Sequence, residues 1–159
     1  MKGTKIIVIA EPKGTREECI ISGTPLPGTV VELVPSTAPI GGRFTYRLCT
    51  RTNGAKGPVV ILTEDHLQGK LATDAYVSGT RGFLYWPVAG ETFNMLIRHT
   101  VGTGSAGEEN IGDYLAVEKA TGELMAGGSL TSQPFMLLEH LGQESGDQLH
   151  WVQYLGNQS

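Results

Sequence analysis

The stretch Ile97–Leu115, IRHTVGTGSAGEENIGDYL, decides the fold. Gly102, Gly104 and Gly107 stand in the G-x-G-x-x-G spacing of a dinucleotide-binding loop. That loop works only between a strand and a helix, because the helix N-terminus holds the pyrophosphate. The apolar run ending at Val101 supplies the strand. No helix follows: Gly112-Asp113 falls where a second helical turn would lie, and Tyr114-Leu-Ala-Val117 then reads as another strand. Glu123 has roughly the spacing of a ribose-binding acid but falls on an expected hairpin. The glycines are therefore read as a polar connection between two strands, and no cofactor is expected.

Outward from this point the same pattern repeats. Short runs rich in β-branched and aromatic residues alternate with Gly, Pro, Asn and Ser, as in TVVELV, PVVILTE, GFLYWPV and QLHWVQYL. Period-2 alternation is clear in RFTYRLCT, where Phe44, Tyr46 and Leu48 share one side and Arg43, Thr45 and Arg47 the other. It is clear again in TFNMLIRHTV, where Phe93, Met95, Ile97 and Val101 share a face; such runs suit an antiparallel sheet with one wet side. Asn53-Gly54 and Ala120-Thr121-Gly122-Glu123 have hairpin chemistry. Only TEDHLQGK reads as helical, with Thr63 as cap and Gly69 as stop. The expected fold is all-β: an antiparallel sandwich or barrel, jelly-roll-like, with at most one short helix. Residues 1–20 are expected as an extended arm or edge strand, 21–155 as a single β domain and 156–159 as a flexible tail.

Composition narrows the function. A net charge of −4 and 18% charged residues argue against a nucleic-acid binder held by bulk charge. No run approaches the ~18 apolar residues of a membrane span, and Ile6–Ala10 is too short for a secretory signal. Cys19 and Cys49 stand far apart with no histidine near either, so neither zinc nor redox chemistry is indicated, and a reduced protein is the expectation. His66, His99, His140 and His150 are scattered. Glu139-His140 would point to opposite faces of a strand, and GGSLT (127–131) lacks the closing glycine of a nucleophile elbow. An enzyme is not expected.

Two features suggest binding instead. Phe83, Tyr85 and Trp86 crowd one strand; either it is buried on both faces or its aromatics form a contact between subunits. Near the N-terminus, Lys2, Lys5 and Arg16 flank the apolar run Ile6, Ile7, Val8 and Ile9. An apolar strand at a chain end must pair, in its own sheet or on a partner's edge.

From about Ile20 onward the chain resembles the capsid decoration, or cement, proteins of tailed phages. The resemblance is carried by ISGTPLPGTVVEL, by PVVILTEDHLQGKLATDAYVSGTRGFLYWPVAGETFNMLI, and by GDYLAVEKATGELMA, PFMLLEHL and LHWVQYL. It implies a small β-barrel protein of the virion, made in the host cytoplasm, that binds the outside of an assembled head and braces neighbouring major capsid proteins. It also implies a homodimer or homotrimer, with no nucleic-acid or membrane partner and no catalytic residue. On this reading Lys2, Lys5, Ile6, Ile7, Val8, Ile9 and Arg16 contact the capsid, and Phe83, Tyr85 and Trp86 contact another copy. The alternative is a carbohydrate- or ligand-binding β-sandwich that stacks its ligand on Trp86 or Trp151.

Overall fold

The computed structural model describes residues 6, 13–50, 58–69, 71–98, 111–118, 121–126, 134–139 and 148–156. The Gly102–Gly107 connection, Asn53-Gly54 and the GGSLT stretch lie outside them.

The architecture is all-β. In the first barrel β1 (Thr15–Ile21), β3 (Thr45–Leu48), β2 (Val30–Leu33), β4 (Val60–Thr63) and β5 (Arg81–Trp86) follow one another around the ring, and β5 returns to β1. In the second, β10 (Gln148–Tyr154), β6 (Thr92–Ile97), β8 (Leu124–Ala126), β7 (Tyr114–Val117) and β9 (Phe135–Leu137) close in the same way. Each barrel is antiparallel except for one parallel pair, β1 with β3 and β6 with β8. β1 runs across the boundary expected at residue 20, and its registered pairing with β5 makes Thr15–Ile21 part of a barrel wall.

The first barrel is filled by Cys19, Ile21, Val31, Tyr46, Val60, Leu62 and Leu84, with Tyr76 closing one end. Gly82 faces this interior because a Cβ there would strike the Ile21 side chain. The Tyr76 hydroxyl donates to the Thr63 carbonyl at 2.7 Å. Burial, and then the charge of Glu17, push the Cys19 thiol up to about 12.

A second core does not stop at the barrel boundary. Phe93, Met95, Ile97, Leu115, Leu124, Phe135, Leu137, Val152 and Tyr154 fill the second barrel, and Val30, Ile61 and Tyr85 join them from the outer face of the first. Residues of β2, β4 and β5 thus alternate between two cores, which is why β4 is buried at every position. The Tyr85 and Phe93 rings meet across the boundary with centroids 5.6 Å apart.

β6 corrects the expected wet side. Phe93, Met95 and Ile97 do share the core face, but Asn94 and Leu96 on the other face are only 2% and 6% exposed. The backbone explains this: Asn94 N–H donates to the Ile6 carbonyl at 2.7 Å and Leu96 N–H to the Gly28 carbonyl at 3.0 Å. Gly28 N–H in turn donates to Leu62 of β4 at 2.8 Å. One residue therefore hydrogen-bonds to both barrels.

The short helix is a single 3-10 turn, His66–Gln68. Its cap is Asp65, not Thr63. The Asp65 carboxylate accepts from the Leu67 and Gln68 N–H groups, while Thr63 lies in β4 and its hydroxyl donates to the Phe83 carbonyl. Gly69 leaves the turn at φ +68° as expected. The Thr121-Gly122 hairpin also forms, and Gly122 accepts from Val30 N–H at 2.7 Å, a second tie between the barrels.

Gly28→Ala is expected to destabilise by about 2 kcal/mol or more in urea unfolding. Its φ is +85°, and an added Cβ would meet Leu149, Ile6 and the Leu96 nitrogen at 3.0–3.3 Å. A loss under a few tenths of a kcal/mol would show that this junction does not hold the barrels. In the native protein at pH 8, Cys19 should be inert to a thiol reagent and react only at the rate of unfolding. Fast labelling would contradict its burial.

Candidate functional site

The aromatic strand does not present the surface its sequence suggests. Within β5, residues alternate, so Leu84 and Trp86 turn to the first core and Tyr85 to the second. Tyr85 is fully buried; its hydroxyl accepts from Gly14 N–H at 2.7 Å and donates to Glu91 at 2.6 Å. It cannot contact another copy. Phe83 is half-buried, with the Arg81 guanidinium 5.6 Å from its ring centroid. Across the strand pair, Glu18 salt-bridges both Arg81 and Arg43. Trp86 is half-buried, and its indole N–H donates to Glu17 at 2.9 Å. This face is a charged, internally paired network, not an apolar platform.

The N-terminal segment is also corrected at one position. Ile6 is fully buried in the second core, its N–H lies 3.3–3.4 Å from the Glu64 carboxylate, and its carbonyl accepts from Asn94. It is a structural plug and offers nothing to a capsid. Arg16 is exposed, on the outward side of β1. Lys2, Lys5, Ile7, Val8 and Ile9 lie outside the described residues.

Glu91 gathers this region together. It is buried, yet it receives N–H bonds from Lys13 at 2.6 Å, Gly14 at 3.2 Å and Val88 at 2.6 Å, besides the Tyr85 hydroxyl. Burial raises its carboxyl, but the bonds from Tyr85, Val88, Lys13 and Gly14 outweigh that and hold it below its ordinary value. Burial and the bond to Glu91 push the Tyr85 hydroxyl up to about 12. The sequence shows PVAGE only as a turn. That its acid is buried depends on the N-terminal chain lying across it, which no local pattern reveals.

Exposed apolar side chains occur on both barrels, Leu33, Ile40 and Phe44 beside the first among them, and on the second they line up across three strands. Leu115, Phe135, Leu137, Val152 and Tyr154 point inward, so their neighbours Tyr114, Met136, Leu138, Trp151 and Gln153 point outward. The register aligns them: Tyr114 pairs with Met136 and Met136 with Gln153, while Leu138 N–H donates to the Trp151 carbonyl. Trp151 is 48% exposed, Tyr114 38% and the adjoining Ile111 68%. None of these outward residues is charged; His150 shares the phase of Val152 and Tyr154, and Glu139 accepts from it and from Trp151 N–H. The alternation of QLHWVQYL could have flagged this face, since both its phases are apolar in part. Among the described residues, no three metal-binding side chains come together. The Glu139–His150 contact joins residues that sequence adjacency does not suggest; His140 lies outside the described residues.

The chain matches no family model and no curated protein. Its fold is similar to the crystal structure of the head fiber gp8.5 N base in bacteriophage phi29, with a TM-score of 0.54 at 8% identity. The match covers 92% of this chain and 98% of that one.

The Glu91 network predicts acid sensitivity. A carboxyl held low in the folded state contributes stability that is present above its unfolded value, about 4.3, and lost as pH falls through the folded value. Glu91→Gln should therefore cost about 1–3 kcal/mol at pH 7 and flatten the fall in unfolding free energy below pH ~4. An unchanged acid limb in the variant would contradict this role.

Proposed function

We propose that the protein is a structural component of a phage head. It binds the outer surface of the assembled shell as a homodimer or homotrimer and stabilises contacts between major capsid proteins. The observation that supports this best is the fold likeness to a head fiber base over nearly the full length of both chains. The turn-and-strand resemblance to cement proteins points the same way from the sequence alone.

The physical requirement is modest. A protein that binds the lattice but not loose subunits stabilises the lattice by mass action, about 2.7 kcal/mol per site at a hundredfold excess over Kd. Such a protein needs a stiff body and sticky faces rather than a catalytic pocket. Two barrels tied through a shared core supply the body. With Ile6 engaged internally, the exposed Arg16 remains a proposed capsid contact, together with Lys2, Lys5, Ile7, Val8 and Ile9, which lie outside the described residues. One observation keeps the glycan-binding alternative in view: Trp151 stands exposed on a sheet face, where a sugar ring could stack.

The test is co-sedimentation of the full-length protein with heads assembled without it. Saturable binding is expected at a stoichiometry fixed by the lattice, weakened by salt and by Arg16→Glu. Deleting residues 1–16 would be uninformative, because Ile6 and Gly14 are part of the fold. Absence of binding by the folded protein would overturn the proposal. Saturable glycan binding abolished by Trp151→Ala would put the alternative in its place.

A further inference from the structure

On the outward face of β7, β9 and β10, Trp151 is 48% and Tyr114 38% exposed, beside Ile111 at 68%. We propose that this is the self-association face, and that its occupant is the same face of a second copy. The inference rests on the proposed function for self-association, though not for head binding, and it moves the contact from the Phe83–Trp86 strand to the opposite barrel.

Charge selects the occupant. The chain carries a net charge of −4, so two copies repel when acidic surfaces meet. On the first barrel the outward positions of β1, β3 and β5 include Arg16, Glu18, Arg47 and Arg81, and contact there would desolvate the Glu18 and Arg47 ion pairs. The row Tyr114, Met136, Leu138, Trp151 and Ile111 carries no charge and meets its own image without repulsion. A symmetric contact requires this, since the same patch must serve both sides. The chemistry also fits: tryptophan, tyrosine and methionine are enriched at interface centres, with charge displaced to the rim. The other outward side of this barrel, Asn94, Leu96 and Leu149, is already occupied by Ile6 and Gly28.

The experiment reads mass and fluorescence together. Trp86→Phe leaves Trp151 as the only indole. Sedimentation equilibrium of this variant on serial dilution should show a falling mass, and the Trp151 emission should shift to the red over the same concentrations. Trp151→Glu and Tyr114→Glu in the wild-type chain should each give a folded monomer with an unchanged far-ultraviolet spectrum. Phe83→Glu should keep the oligomer. A wild-type chain that is monomeric at every concentration would overturn the inference. So would an oligomer that survives both Trp151→Glu and Tyr114→Glu, or one whose dissociation leaves the Trp151 emission unmoved. An oligomer that dissolves as expected yet fails to bind heads would uphold this face and defeat the proposed function, so the two failures are separable.

Discussion

Everything in the structure leans on the way backbone passes between the two barrels at Gly28. Its N–H reaches β4 and its carbonyl receives β6, so one residue continues the hydrogen bonding of both barrels. The positive φ and the missing Cβ are both required, because Ile6 and Leu149 occupy the space that a side chain would need. Ile6 then fills the gap beside it, held by backbone bonds to β6 and to the Glu64 carboxylate. With the junction closed, Val30, Ile61 and Tyr85 become core residues of a barrel they do not belong to. Fully burying each of these side chains is worth about 1.5–3 kcal/mol, so the shared core, rather than the few bonds across it, supplies most of the attraction. The bonds fix which surfaces meet.

That arrangement divides the surface of the molecule. The sides of the barrels that face one another are spent on the junction. The outer side of the first barrel is charged and paired with itself through Glu18, Arg43, Arg81, Glu32 and Arg47. The second exposes Ile111, Tyr114 and Trp151 across β7, β9 and β10. A body with one face of each kind suits the proposed role, in which one face binds like copies and the other the shell.

The all-β class was legible, because turn residues and period-2 runs are local signals. The Gly122 hairpin, the short turn ended by Gly69 and the alternation of Phe93, Met95 and Ile97 all follow from them. What was not legible depends on contacts distant in sequence. β6 was expected to have a wet face, and it has none because Ile6 and Gly28, more than sixty residues earlier, lie against it. The sequence leaves Tyr85 either buried or at a subunit contact, and what buries it is Gly14 and Glu91 closing over it. The division into two barrels is likewise invisible, because strand spacing does not say which strand closes which ring. The candidate site shows the same limit: the aromatic cluster drew attention in the sequence, while the exposed face is assembled from single residues on three separated strands.

The most direct test of the account is an electron cryo-microscopy reconstruction of heads incubated with the purified protein. Two-barrel density is expected on the outer surface, with neighbouring copies touching through β7, β9 and β10 and Trp151 buried between them. Heads with no ordered density outside the shell, or copies bound with that face open to solvent, would contradict it.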